Sequence, residues 1–267
     1  MFDNVENKPG YMAFFLNKAI EKIIENYYYE VTYDELYNAA IKGMTDILDE
    51  YSNYEKVVMN DVHPEDNRQN RNTVSHYKLS ELIDNIAKNN YLNIRLIKIK
   101  EINNTTASEL EYCIKCLKNE YVENVIIDLR DNMGGLVDAA IDVCNLLVSE
   151  GVLFRSYDRN MNTKIYKSSL IEKPFRKMVV ITNGKTMSSA EAIAAALQDD
   201  GNLILGEKTY GKGVSQKSFN LYGNGILNIT TKEYFRSNGE CINKRGVIPN
   251  YCVDKTDNIL KVAIKYF

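Results

Sequence analysis

The chain has 267 residues, 45% of them hydrophobic and 26% charged, and a formal charge of −3. This composition excludes collagen-like, wholly disordered and membrane-spanning classes, and the length points to one large domain or one domain with a smaller piece. The mild acidity, without a stripe of Lys and Arg, gives no reason to expect nucleic acid as a partner.

The N-terminus has no basic start and no apolar run beyond Tyr11–Leu16. That run is too short for a signal core or a membrane span. Read as it stands, the chain is expected in the cytoplasm; a trimmed chain would read the same.

Apolar residues at helical spacing (Phe15, Ala19, Ile23, Ile24) predict a helix over 11–29. Thr32 and Glu35 form a capping box that opens a second helix through Leu36, Ala40, Met44 and Leu48. Residues 1–55 are therefore expected to be an N-terminal helical segment. Residues 60–76 are polar, and Leu79–Ala87 has the pattern of a short helix. The stretch 56–92 is read as a polar linker or lid.

From 93 onward strands and helices alternate. Strands are expected at Ile94–Ile99, Val125–Leu129, Met178–Thr182, Leu203–Leu205 and Ile226–Lys232. Helices are expected at Thr106–Lys118, Val137–Val148 and Ser189–Gln198. This order predicts an α/β core over 93–267.

Five cysteines are an odd number for a disulfide framework. Cys113 and Cys116 form a C-x-x-C, but no second pair completes a zinc site, and both fall in a helical apolar pattern. Core packing is the favoured reading. His63 and His76 both lie in the polar stretch, which counts against a Ser-His-Asp triad. Gly206–Lys212 has P-loop flavour, yet Gly213 stands where Ser or Thr should bind magnesium.

Three turns remain. Asp128–Gly135 joins a buried strand to a helix through Gly134-Gly135, which lets backbone N–H groups approach a negative oxygen. Asn183–Glu191 places Ser188 at a helix start, as the cap of a Ser188-x-x-Glu191 capping box or as a nucleophile. Gly206–Gln216 carries Lys212 between two glycines. A serine without histidine can use a neutral lysine as base. A lysine serving near neutrality needs about 4 kcal/mol of bias towards its neutral form, which an apolar pocket can supply.

Together these segments resemble the carboxyl-terminal processing peptidases, or tail-specific proteases. The resemblance runs in order through Leu36–Tyr54, Ile126–Ala139 (IIDLRDNMGGLVDA), Thr186–Asp199 (TMSSAEAIAAALQD), Gly206–Gln216 (GEKTYGKGVSQ) and Gly246–Asn250. It implies a crotonase-like α/β fold of ββα units and a Ser-Lys serine endopeptidase acting on protein or peptide substrates. Ser188 falls on the nucleophile, Lys212 on the general base and Gln216 on the glutamine that orients the lysine. Gly134 and the N–H of Ser189 fall on the oxyanion hole. No metal or cofactor is implied.

The sequence departs from the family pattern in three places. The alternating Ser-Ala-Ser-Ala-Ser-Glu reads Thr186-Met187-Ser188-Ser189-Ala190-Glu191, so Ser188 and Ser189 both stay open as nucleophile. Met133 replaces the usual Pro. The stretch 56–92 is too short for a PDZ domain, which leaves tail recognition open. Two alternatives follow: a peptide-binding scaffold with weak or no turnover, and a coenzyme A-dependent crotonase activity. The family usually works outside the cytoplasm, against the reading of the N-terminus; oligomeric state is not legible.

Overall fold

The computed structural model describes residues 9–56, 72–78, 93–221, 225–254 and 257–267. In chain order the elements begin α1 (Pro9–Asn26), α2 (Tyr33–Thr45), β1 (Asn53–Lys56), β2 (Val74–Lys78), β3 (Ile94–Ile99) and α3 (Thr106–Asn119). Then come β4 (Asn124–Asp128), α4 (Val137–Leu147), β5 (Gly151–Asp158), β6 (Thr163–Ser168), β7 (Lys177–Thr182) and α5 (Ser189–Asp199). The chain closes with β8 (Leu203–Gly206), β9 (Val214–Leu221), β10 (Gly225–Arg236), β11 (Tyr251–Cys252) and α6 (Ile259–Ile264). The described residues form two compact units. One holds 9–56, 216–221 and 225–230; the other holds the rest.

In the smaller unit, Thr32 and Glu35 close the expected capping box at the start of α2: Glu35 N–H donates to Thr32 Oγ1 (3.2 Å) and Thr32 N–H to Glu35 Oε2 (2.8 Å). β1 pairs antiparallel with 225–228 of β10. The apolar stripe of α1 is mostly uncovered: Ile20 is buried, whereas Phe15, Ile23 and Ile24 are exposed.

The larger unit is built on a six-stranded sheet in the order β11-β8-β7-β4-β3-β2. Its pairs are parallel except β2 with β3. Strands buried on both faces read as continuous apolar runs, which is why β4 and β7 are legible in sequence. Period-2 alternation divides them between two cores. Ile97, Ile127, Val180 and Ile204 face a large cluster with α3, α4 and α5; Leu96, Ile126, Ile181 and Leu205 face Leu260 and Ala263 of α6. A second sheet pairs β5 with β6 and with Lys232–Arg236 of β10, all antiparallel.

Several features differ from the sequence reading. β2 lies inside the stretch read as linker, and it carries His76 at the sheet edge, exposed. The β5–β6 hairpin follows a turn in which Asp158 Oδ1 accepts from the N–H of Asn160 and of Asn162. His63 and the expected helix Leu79–Ala87 lie outside the described residues. Cys113 packs in the core, with its thiol pushed up to about 12 by burial, as is that of Cys144. No helix among the described residues is long and apolar enough to cross a membrane.

Candidate active site

Parallel strands β4, β7 and β8 lie side by side, so the turns after their C-terminal ends are neighbours. Hydrogen bonds stitch these turns together. Thr186 Oγ1 donates to Leu129 O (2.9 Å), Met187 N–H to Asn132 O (2.9 Å) and Tyr210 N–H to Thr186 O (3.0 Å). Asp131 and Asn183 exchange two bonds of 3.0 Å. The first turn is braced from below by buried Asp128, which takes Arg130 in two bonds of 2.9 and 2.8 Å. That carboxylate raises the Arg130 guanidinium above its ordinary value.

The two glycines are dictated by space. A Cβ on Gly135 would stand 1.8 Å from Ile102 O. On Gly134, at φ +88°, it would stand 2.7 Å from Met187 O and 3.0 Å from both Ser188 Cβ and Ser189 N. The Gly-Gly turn therefore rests directly on the segment of Met187, Ser188 and Ser189. The N–H of Gly134 is engaged inside the turn by Asn132 Oδ1 at 2.8 Å. The N–H of Gly135 has no acceptor among the described residues. The sequence reading put Gly134 N–H, together with that of Ser189, in the oxyanion hole.

Ser188 and Ser189 are separated by backbone conformation. Ser188 has φ +57° and ψ −125°, outside the regions open to an ordinary L-residue. Such a conformation costs about 1–3 kcal/mol and persists only where its surroundings over-determine it. Here Ser188 N–H donates to Glu191 Oε2 (2.9 Å), and Ser188 O accepts from Glu191 N–H (2.8 Å) and Ala192 N–H (3.2 Å). Ser189 is the first residue of α5 and is buried, its Oγ donating to Gly135 O at 3.2 Å. Its N–H is among the orphan donors of a helix start and has no acceptor among the described residues.

Ser188 and half-buried Lys212 line one narrow pocket. Its remaining wall is largely apolar: Val137, Ala140, Phe154, Ala192, Ile242 and the ring of Tyr234. The Tyr234 hydroxyl donates to Ser215 Oγ (3.3 Å), and burial pushes the phenol up to about 12. Gln216 belongs to the smaller unit, where its Nε2 donates to Thr230 Oγ1 at 2.9 Å.

One residue at the site carries more than the sequence reading gave it. Glu191, read as the far half of a capping box, is fully buried and accepts four bonds. Oε2 takes Ser188 N–H (2.9 Å) and Lys212 N–H (2.8 Å); Oε1 takes Gly211 N–H (2.7 Å) and Thr209 Oγ1–H (2.5 Å). Burial pushes this carboxyl above its ordinary value, and the four donors pull the other way. Thr209 Oγ1 accepts in turn from Val247 N–H at 2.7 Å. Among the described residues no group of His, Cys, Asp and Glu is arranged to hold a metal ion.

With this geometry in hand, comparison with known proteins is specific. Residues 93–253 match the sequence profile of peptidase family S41. A carboxy-terminal processing protease of Bacillus subtilis (strain 168) is 32% identical over 180 residues, 67% of this chain and 37% of that protein. The chloroplastic carboxyl-terminal-processing peptidase 1 of Arabidopsis thaliana is 33% identical over 189 residues, 68% of this chain and 37% of that protein. The photosystem II D1 C-terminal processing protease superposes with a TM-score of 0.61 at 28% identity, covering 68% of this chain and 48% of that one. A lipoprotein from Streptococcus agalactiae shares the fold over 97% of this chain and 88% of its own, with a TM-score of 0.64 and 19% identity. The chain spans little more than a third of the length of these two curated relatives.

Proposed function

The chain belongs to peptidase family S41, and from that premise we propose that it is a serine endopeptidase working through a Ser188–Lys212 dyad. The observation that carries the reading is that a strained serine at a helix start shares an apolar pocket with a lysine. Strain of this kind concentrates at functional sites. It also favours Ser188 over Ser189, whose hydroxyl is spent on Gly135 O.

Neutral Lys212 takes the proton of Ser188 Oγ as that oxygen attacks a peptide carbonyl. The tetrahedral oxyanion is received by the N–H of Ser189, where the α5 dipole favours negative charge, and by the Gly-Gly turn. Gly135 N–H is the open donor of that turn. Gly134 supplies the absence of a side chain that lets the turn close on Ser188. Each such donor is typically worth about 10²–10³ in rate. Collapse of the intermediate expels the amine, which takes the proton from Lys212. Water, deprotonated by the same lysine, then attacks the acyl-enzyme, and Lys212 returns that proton to Ser188 Oγ as the acyl group leaves. The apolar wall of Phe154, Ala192 and Ile242 suits an apolar substrate side chain beside the scissile bond. Protein and peptide chains are the substrates; no metal or cofactor enters any step.

The test is cleavage of casein by wild type, Ser188→Ala, Ser189→Ala and Lys212→Ala. Wild type and Ser189→Ala cut, Ser188→Ala does not, and Lys212→Ala cuts at least about 10²-fold more slowly. Activity in Ser188→Ala with loss in Ser189→Ala would move the nucleophile by one residue. No cleavage by wild type would leave a peptide-binding scaffold.

A further inference from the structure

The dyad residues come from two turns 24 positions apart in sequence, and neither turn is regular secondary structure at the reacting residue. Something must fix one against the other. Their backbone N–H groups converge on a single atom: Glu191 Oε2, 2.9 Å from Ser188 N and 2.8 Å from Lys212 N. The second oxygen holds the preceding residue of the lysine turn, Gly211, and the hydroxyl of Thr209. Helix α5, which carries Glu191, is buried from Ser189 to Leu197, so the carboxylate stands on a rigid base.

We propose that Glu191 is the positioning residue of the dyad, its carboxylate keying the Ser188 turn and the Lys212 turn to one another. The proposal rests on the Ser188–Lys212 reading above and adds a third residue that touches no substrate. All four partners are donors, so only a group with two accepting oxygens satisfies them. Glutamine is not a conservative replacement here. With its NH₂ towards Ser188 and Lys212 it faces both dyad N–H groups with hydrogens. Turned the other way, it loses Gly211. Aspartate keeps both oxygens but is one methylene too short to reach both turns.

The experiment measures kcat and KM on a quenched fluorescent peptide for wild type, Glu191→Gln, Glu191→Asp, Lys212→Ala and the Glu191→Gln/Lys212→Ala double variant. Amide exchange is followed at residues 188, 211 and 212. Misplacement of about 1 Å costs about 10² in rate, so Glu191→Gln is expected to lose at least that in kcat, with KM within about threefold. The amides of 188, 211 and 212 lose protection while those of β4 and β7 keep theirs. Because Glu191 acts through the dyad, the double variant is expected to be little worse than Lys212→Ala alone. A purely structural role predicts additive losses and a general fall in protection; that result overturns the proposal, as does unchanged kcat in Glu191→Gln. If wild type cuts nothing, the protease reading fails. The exchange data still decide whether Glu191 holds the two turns: retained protection at 188, 211 and 212 in Glu191→Gln overturns the clamp.

Discussion

Gly134→Ala puts a methyl group where the Gly-Gly turn rests on Ser188 and its neighbours. Two costs arise, and they are separable. The first is conformational: an L-residue at φ +88° pays about 1–2 kcal/mol. The second is contact: the new carbon would stand 2.7 Å from Met187 O and 3.0 Å from Ser188 Cβ and Ser189 N. These are main-chain or first side-chain atoms, so relief requires the turn or the Ser188 segment to move by several tenths of an ångström. Gly239 is the matched control: its φ is +90° and nothing lies within 4 Å of a Cβ built there. Gly239→Ala should lose about 1–2 kcal/mol in urea unfolding and keep its kcat/KM. Gly134→Ala should lose more stability, about 2–4 kcal/mol, and at least about 10² in kcat/KM. Equal activity of the two variants would refute the account of how the turn seats on Ser188.

Three further outcomes follow from buried groups. Thr186→Val leaves Asn183 N–H without its acceptor and Leu129 O with only the N–H of Asn132 (3.3 Å), and should cost about 1–2 kcal/mol in urea unfolding; a change under about 0.5 kcal/mol would contradict this. Burial works to raise the Glu109 carboxyl, but the N–H groups of Val74 and Thr73 with the hydroxyls of Thr105 and Thr73 carry it below its ordinary value. Its contribution is therefore complete above the unfolded carboxyl range and lost as pH falls through the lower folded value. The stability gap between wild type and Glu109→Gln should shrink on acidification, and a gap constant with pH counts against it. Iodoacetamide at neutral pH should modify exposed Cys252 and spare Cys113 and Cys144, whose thiols burial pushes up to about 12; modification of Cys144 at the rate of Cys252 would be the contrary result.

The parts of the fold that sequence reveals are those with a local signature. β4 and β7 are apolar runs, α2 opens on a capping box, and the Gly-Gly turn stands between a strand and a helix. β2 escaped because an edge strand, Val-Ser-His-Tyr-Lys, buries little and is coloured by its polar flanks. β5 and β6 escaped although their Asp158–Asn162 turn is rich in turn residues. Ser188 and Ser189 are equivalent on paper; the φ of +57° that separates them has no sequence signal in a residue other than glycine. Glu191 carries a local signal, the capping box, which explains one of its four bonds. The other three come from residues 18–21 positions away and depend on β8 returning beside β7.

The central claim is that Ser188, activated by Lys212, is the nucleophile. It is tested most directly by reacting the protein with a fluorophosphonate and mapping the modified residue by peptide mass spectrometry. The account predicts an adduct on Ser188, none on Ser189, and a rate lowered at least about 10²-fold in Lys212→Ala. An adduct on Ser189, or labelling of Ser188 at an undiminished rate in Lys212→Ala, would contradict it.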